Sequence, residues 1–210
     1  MDMYFDGLSA LHFWGLSLRR CVITPAKRKQ SLVDILCADG SLDLLRGQEP
    51  TYESRTITAE FDPVGQDVAA IVARLEDELE GRQVQITLPN DEAYYMIGDI
   101  HINSAGVASG HPITISAVCN PWRYRREMTV HTIPAVDAPT EVELRNAGRR
   151  WVVPEIVAAA DVTISGNGIV EKSYVAGTYL LPDYQIPGHR SIGITVKGGP
   201  VEIRYQEAML

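Results

Sequence analysis

The chain has 210 residues, enough for one large domain or two small ones, each with its own core. Hydrophobic residues make up 45% and charged ones 22%, which excludes disorder and low-complexity classes. Nineteen basic residues against 27 acidic ones leave a net charge of −8, so phosphate backbones repel the chain and sequence-specific nucleic acid binding is not expected.

Three cysteines, Cys21, Cys37 and Cys119, are an odd number without CxxC spacing, against a disulfide framework or a zinc knuckle. That cysteine usage predicts synthesis in a reducing cytoplasm, and with no charged start followed by an apolar run and a cleavage site, export by the general secretory route is not expected. The longest stretch free of Lys, Arg, Asp and Glu, Ile102 to Trp122, is too polar to enter hydrocarbon, so no membrane insertion is expected.

Along the chain the period is mostly two. Thr56–Phe61, Val84–Leu88, Ile113–Val118, Val162–Ile164 and Val201–Tyr205 alternate apolar with polar residues, as half-buried strands do. Between the first two runs, Val68, Ile71, Val72, Leu75 and Leu79 share one helical face, predicting one α-helix over about 65–80. Asp67 is its expected N-cap and Gly81 its stop. Turn chemistry at Asp39-Gly40, Pro89-Asn90-Asp91, Ser104-Ala105-Gly106, Gly166-Asn167-Gly168, Pro187-Gly188 and Gly198-Gly199-Pro200 separates the strands. Two prolines and no periodicity between His131 and Pro139 predict a domain boundary there, giving domains 1–131 and 132–210. The fold class is mainly β: an N-terminal β-sandwich-like domain with one helix, then an all-β sandwich.

Catalytic patterns are missing. There is no Gly-x-Ser-x-Gly elbow and no pair of histidines four apart, and the five histidines are scattered. No metal or cofactor site is expected. Glu76, Asp77, Glu78 and Glu80 read as the solvated side of the helix, with Arg74 placed to pair with Glu78. Core packing is the default for Trp122 and Trp151, and a subunit or glycan contact is the alternative. Arg123, Arg125 and Arg126 around Tyr124, with Arg149 and Arg150, form the local basic patch.

An ordered series of segments goes further. Phe5-Asp6-Gly7, the hairpin Leu32 to Asp43, Tyr52 to Thr58, the helix, Tyr94 to Ile100 and Ala117-Val118-Cys119-Asn120-Pro121-Trp122-Arg123-Tyr124 together resemble the N-terminal domain of the distal tail proteins of long-tailed bacteriophages. Val142 to Gly148, Val153 to Ile156 and Val162 to Ile164 are similar to the galectin-like sandwich that closes many of them. The resemblance implies a non-enzymatic homohexameric ring at the distal end of the virion tail, assembled in the host cytoplasm, with the tail tube protein and tail-tip or baseplate hub proteins as partners. It leaves no room for an inserted carbohydrate-binding module. On this reading the basic segment Arg19, Arg20, Pro25, Lys27, Arg28 and Lys29 forms or flanks a loop reaching a neighbouring subunit, and Trp122, Arg123 and Trp151 are candidate interface or glycan contacts. The alternative is a module for host-surface carbohydrate, motivated by Trp151, Tyr174, Tyr179 and Tyr184.

Overall fold

A computed structural model describes residues 2–34, 41–44, 50–65, 67–107 and 110–210, with only the backbone of 41–43. Cys37 and the Asp39-Gly40 turn lie outside the described residues. The chain divides into two compact units, Met1–Arg123 and Tyr124–Leu210.

In the first unit, β1 (Tyr4–Phe5) and β2 (Leu8–Ser9) form a hairpin. Its two-residue turn needs positive φ at both positions, and Asp6 (φ 49°) and Gly7 (φ 81°) supply it. A helix the periodicity did not announce, α1 (Ala10–Trp14), follows under a Ser9 cap; five residues are too few to show a repeat. Then come β3 (Leu16–Ile23), β4 (Leu32–Asp34), β5 (Ser41–Asp43), β6 (Arg55–Pro63), α2 (Val68–Leu79), β7 (Gln83–Thr87), β8 (Tyr94–Asn103) and β9 (Ile113–Cys119). Seven strands run β2-β1-β7-β8-β9-β6-β3 in one antiparallel sheet. Alternation decides which face is buried: Ile57, Ala59 and Phe61 of β6 and Ile113, Ile115 and Ala117 of β9 point inward.

The predicted face of α2 closes this core, with Leu75 and Leu79 buried and Val68, Ile71 and Val72 packed against it. Asp67 caps it by accepting the Ala70 N–H at 3.0 Å, and Gly81 beyond its end has φ 68°. Each large apolar side chain fully buried here contributes about 1.5–3 kcal/mol. Arg74 pairs with Glu78 at 2.9 Å, as its spacing predicts. Glu78 also accepts the Trp14 indole N–H at 2.7 Å, so this carboxylate ties α1 to α2 and is more than a solvated charge.

A short strand, β10 (Arg123–Arg125), spans the change of unit, ahead of the predicted boundary. His131 lies inside β11 (Thr129–Ile133), which pairs residue by residue with β18 (Val201–Tyr205). Pro139 sits within β12 (Val136–Arg145), where the ladder shifts register between Val136 and Thr140. A bulge tolerates a residue with no N–H, so Pro139 is carried by a strand, while Pro134 lies between β11 and β12.

The remaining strands are β13 (Glu155–Ala158), β14 (Val162–Gly166), β15 (Ile169–Tyr174), β16 (Gly177–Leu180), β17 (Ser191–Gly198) and β19 (Ala208–Met209). All of these but β19, which pairs with β10, join β11, β12 and β18 in the expected sandwich of two four-stranded sheets, β11-β18-β13-β16 and β12-β17-β14-β15. Its core holds Ile156, Ile164, Val196, Ile203, Tyr184 and Tyr205. Both tyrosine hydroxyls are satisfied, Tyr184 donating to the Ile164 carbonyl at 3.1 Å and Tyr205 to that of Arg145 at 2.7 Å. Among the described residues no helix is long and apolar enough to cross a membrane.

Candidate functional site

Past Ile23 the chain leaves the sheet but keeps its antiparallel partner. The Thr24 N–H donates to the Thr56 carbonyl at 2.9 Å, the Glu53 N–H to that of Lys27 at 2.8 Å, and the Lys29 N–H to that of Thr51 at 2.9 Å. β4 and β5 continue the ladder, pairing Leu32 with Asp43 and Asp34 with Ser41. Residues 24–34 and 41–56, as far as they are described, therefore form a two-stranded arm. A lone two-stranded ribbon is at best marginally stable in water. This one leaves Leu32 57% and Leu44 54% exposed, so apolar side chains stand on its surface.

Of the candidate contact residues, Pro25, Lys27, Arg28 and Lys29 lie on the arm and are exposed. Arg19 and Arg20 do not belong to a loop: they are in β3, where the register shifts between Leu18 and Arg20 and Arg19 reaches Asp62 at 3.8 Å. β3 ends the sheet order, so its outer edge is unpaired among the described residues and carries exposed Val22 and Ile23. A cleft of about 460 Å³ opens beside it, lined among others by Arg19, Arg20, Cys21, Asp91 and Arg123.

The root of the arm gathers aromatic and charged groups. Trp122 is half-buried, edge-on to Tyr52 with ring centroids 5.4 Å apart. Arg123 donates to Asp91 at 3.0 Å and lies over the Tyr94 ring at 5.6 Å. Both candidates are thus engaged within their own unit. The residue missed in the sequence is Arg55, 7% exposed, with its Nε buried and making no hydrogen bond. Its signal was the alternation itself, since Arg55 shares the inward phase of Ile57, Ala59 and Phe61. Burial, and then the nearby Arg123 charge, push its pKa down.

In the second unit Trp151 is 43% exposed, against the core default. The alternation places Val152 and Pro154 inward and Trp151 and Val153 outward. The basic patch is partly matched, with Arg125 3.3 Å from Glu207 and Arg150 donating to the Tyr124 hydroxyl at 3.1 Å. Tyr184 is buried and offers no platform to a sugar, while Tyr174 and Tyr179 pack on each other at 5.2 Å. The histidines do not converge: His101 Nδ1 lies 2.7 Å from Glu80 and His131 stacks on Tyr205. Among the described residues no group of three His, Cys, Asp or Glu is placed to hold a metal ion.

Neither a protein-family model nor a curated protein matches the sequence. A solved structure does match in three dimensions: the crystal structure of the SPP1 Dit protein (gp 19.1), described as a paradigm of the hub adsorption apparatus in phages infecting Gram-positive hosts. The TM-score is 0.70 over 100% of this chain and 99% of that one, at 13% identity. The fold is that of a distal tail protein. The match takes in both units, so the mainly β Dit fold accounts for the helix-bearing sheet and the sandwich alike. At this identity the likeness is one of fold.

Proposed function

We propose that the chain is a structural component of a bacteriophage tail, a homohexameric hub at the distal end that joins the tail tube to the tip or baseplate proteins and performs no catalysis. The observation that carries this reading is the full-length match in fold to the SPP1 Dit protein. The first unit is the ring-forming part and the second a galectin-like sandwich. A closed ring needs a heterologous contact repeated around an axis. The unpaired edge of β3 and the exposed apolar side chains of the arm are two different surfaces of one unit, which is what such a contact requires. The acidic balance suits a channel that must pass DNA without holding it. The subunits would assemble in the host cytoplasm and reside in the virion tail.

The test is native mass spectrometry of the wild-type chain and of a Lys27→Glu, Lys29→Glu variant. Both side chains are exposed, so the fold tolerates the change. A wild-type hexamer that the variant forms only weakly supports the arm as a subunit contact; an equally stable hexamer removes the arm from the interface.

The second reading, a module for host glycan, is favoured by exposed Trp151. It predicts glycan-array binding that Trp151→Ala abolishes, and silence of the wild-type chain on the array ends it.

A further inference from the structure

We propose that Arg55 is the cationic half of an ion pair between subunits, and that a carboxylate of a second copy of the chain docks against it at the root of the arm. The inference rests on the ring reading and deepens it.

Arg55 is 93% buried by difference from its 7% exposure, at the first position of β6 and opposite Cys119 in the ladder. Its Nε makes no hydrogen bond, and none of the ion pairs among the described residues includes it. Asp91, in the cleft beside β3, is held by Arg123 at 3.0 Å. Arg123 is itself a like charge that raises the cost of Arg55. Folded chains very rarely keep a buried guanidinium unmatched, because its desolvation must be repaid by a partner. A guanidinium presents a flat fork of N–H donors that fits a carboxylate in two parallel hydrogen bonds, which fixes the chemistry of the missing group.

Charge complementarity names the source. Arg19, Arg20 and Arg123, with Asp91, line the cleft beside β3, and Arg123 is the charge that acts on Arg55, on a chain whose net charge is −8. Each copy carries a surplus of carboxylates, among them exposed Asp77 on α2, and in a ring it presents them to its neighbour. The arm root is also where the chain passes from the packed sheet to a ribbon whose Leu32, Val33 and Leu44 are exposed. A contact that covers the arm brings the neighbour's surface to Arg55.

The experiment compares wild type, Arg55→Met and Arg55→Lys in two readouts. The first is urea stability of the dilute, unassembled chain; the second is the concentration of half-assembly by light scattering. For Arg55→Met, dilute stability should hold or rise, since an apolar side chain of similar size replaces an unmatched charge. Its half-assembly concentration should rise about thirtyfold or more, because the neighbour's carboxylate is left buried and alone. Arg55→Lys should fall between, keeping the charge but not the fork. A dilute Arg55→Met chain clearly less stable than wild type would mean the charge is matched inside the subunit, and would overturn the proposal. Unchanged assembly would overturn it while leaving the ring intact. A wild-type chain that never self-associates would overturn the ring and the ion pair together.

Discussion

Asn146, fully buried at the end of β12, organises the turn that follows it, and replacing it should be among the costliest single changes in the second unit. Its Nδ2 donates to the carbonyls of Arg150 at 2.7 Å, Ile186 at 3.2 Å and Pro187 at 3.3 Å, and its Oδ1 accepts the Gly148 N–H at 2.9 Å. Two of these carbonyls keep another donor in Asn146→Ala, Ile186 from Val152 and Pro187 from Arg190. The Gly148 N–H and the Arg150 carbonyl lose the bonds described here. The Gly148 N–H is buried, whereas Arg150 is exposed and its carbonyl can turn to water; one buried polar group left unsatisfied costs about 1–3 kcal/mol, which is the expected loss. For a unit of this size each kcal/mol lowers the melting temperature by about 4–8 °C. Asn146→Asp should do no better at neutral pH, because a carboxylate oxygen would face three carbonyls, and should recover as pH falls and the carboxyl is protonated. Calorimetry across pH 4–8 reads both effects. A loss below about 1 kcal/mol in Asn146→Ala would refute the argument that this side chain holds the turn.

Other expectations follow from close contacts and titrating groups in the first unit. A Cβ at Gly98 would lie 2.4 Å from the Cys119 sulfur and 3.1 Å from the Val118 carbonyl, so Gly98→Ala should cost about 1–3 kcal/mol in urea. Much of that loss should return in the double variant with Cys119→Ala, and a loss that does not would place the strain elsewhere. The Ile102 N–H, then His101, hold the Glu80 carboxyl below the usual carboxylate range. Its stabilising share is complete above the unfolded carboxylate pKa and is lost as pH falls through the lower folded value. Urea midpoints at pH 7 and pH 3 should therefore differ less in Glu80→Gln than in wild type, and parallel behaviour would contradict this. Burial pushes the Cys119 thiol up to about 12. Iodoacetamide at pH 8 should then leave it unmodified in the native chain and alkylate it in urea, as mapped by mass spectrometry; native labelling would show that the β9 end opens.

The legible parts of this fold were those written in local periodicity. Leu75 and Leu79 fix the buried face of α2, Asp67 and Gly81 bracket it, and the alternation through Ile57, Ala59 and Phe61 identifies β6 and its inward side. The order of such segments was enough to suggest the distal tail fold. Long-range pairing was not legible, because nothing local to Thr24 or Lys29 says that Thr56 and Thr51 lie opposite. Hence the basic segment reads only as forming or flanking a loop, while the pairing puts Arg19 and Arg20 in an edge strand and Pro25 to Lys29 on the arm. Prolines misled where a bulge absorbs Pro139 inside β12. Residue type makes the core the default for Trp151 and a contact the alternative, and strand phase turns it outward and gives the core to Val152. Arg55 went unnoticed for the opposite reason: its phase is inward, and residue type alone predicts a solvated charge.

The central claim is that this chain closes into a ring. Light scattering of the purified protein, with negative-stain class averages from the same sample, tests it most directly. The account predicts a particle of about six times the 23.2 kDa chain mass, with sixfold averages and a central hole. A 23.2 kDa monomer at every concentration, or an open filament with no closed particles, would contradict it.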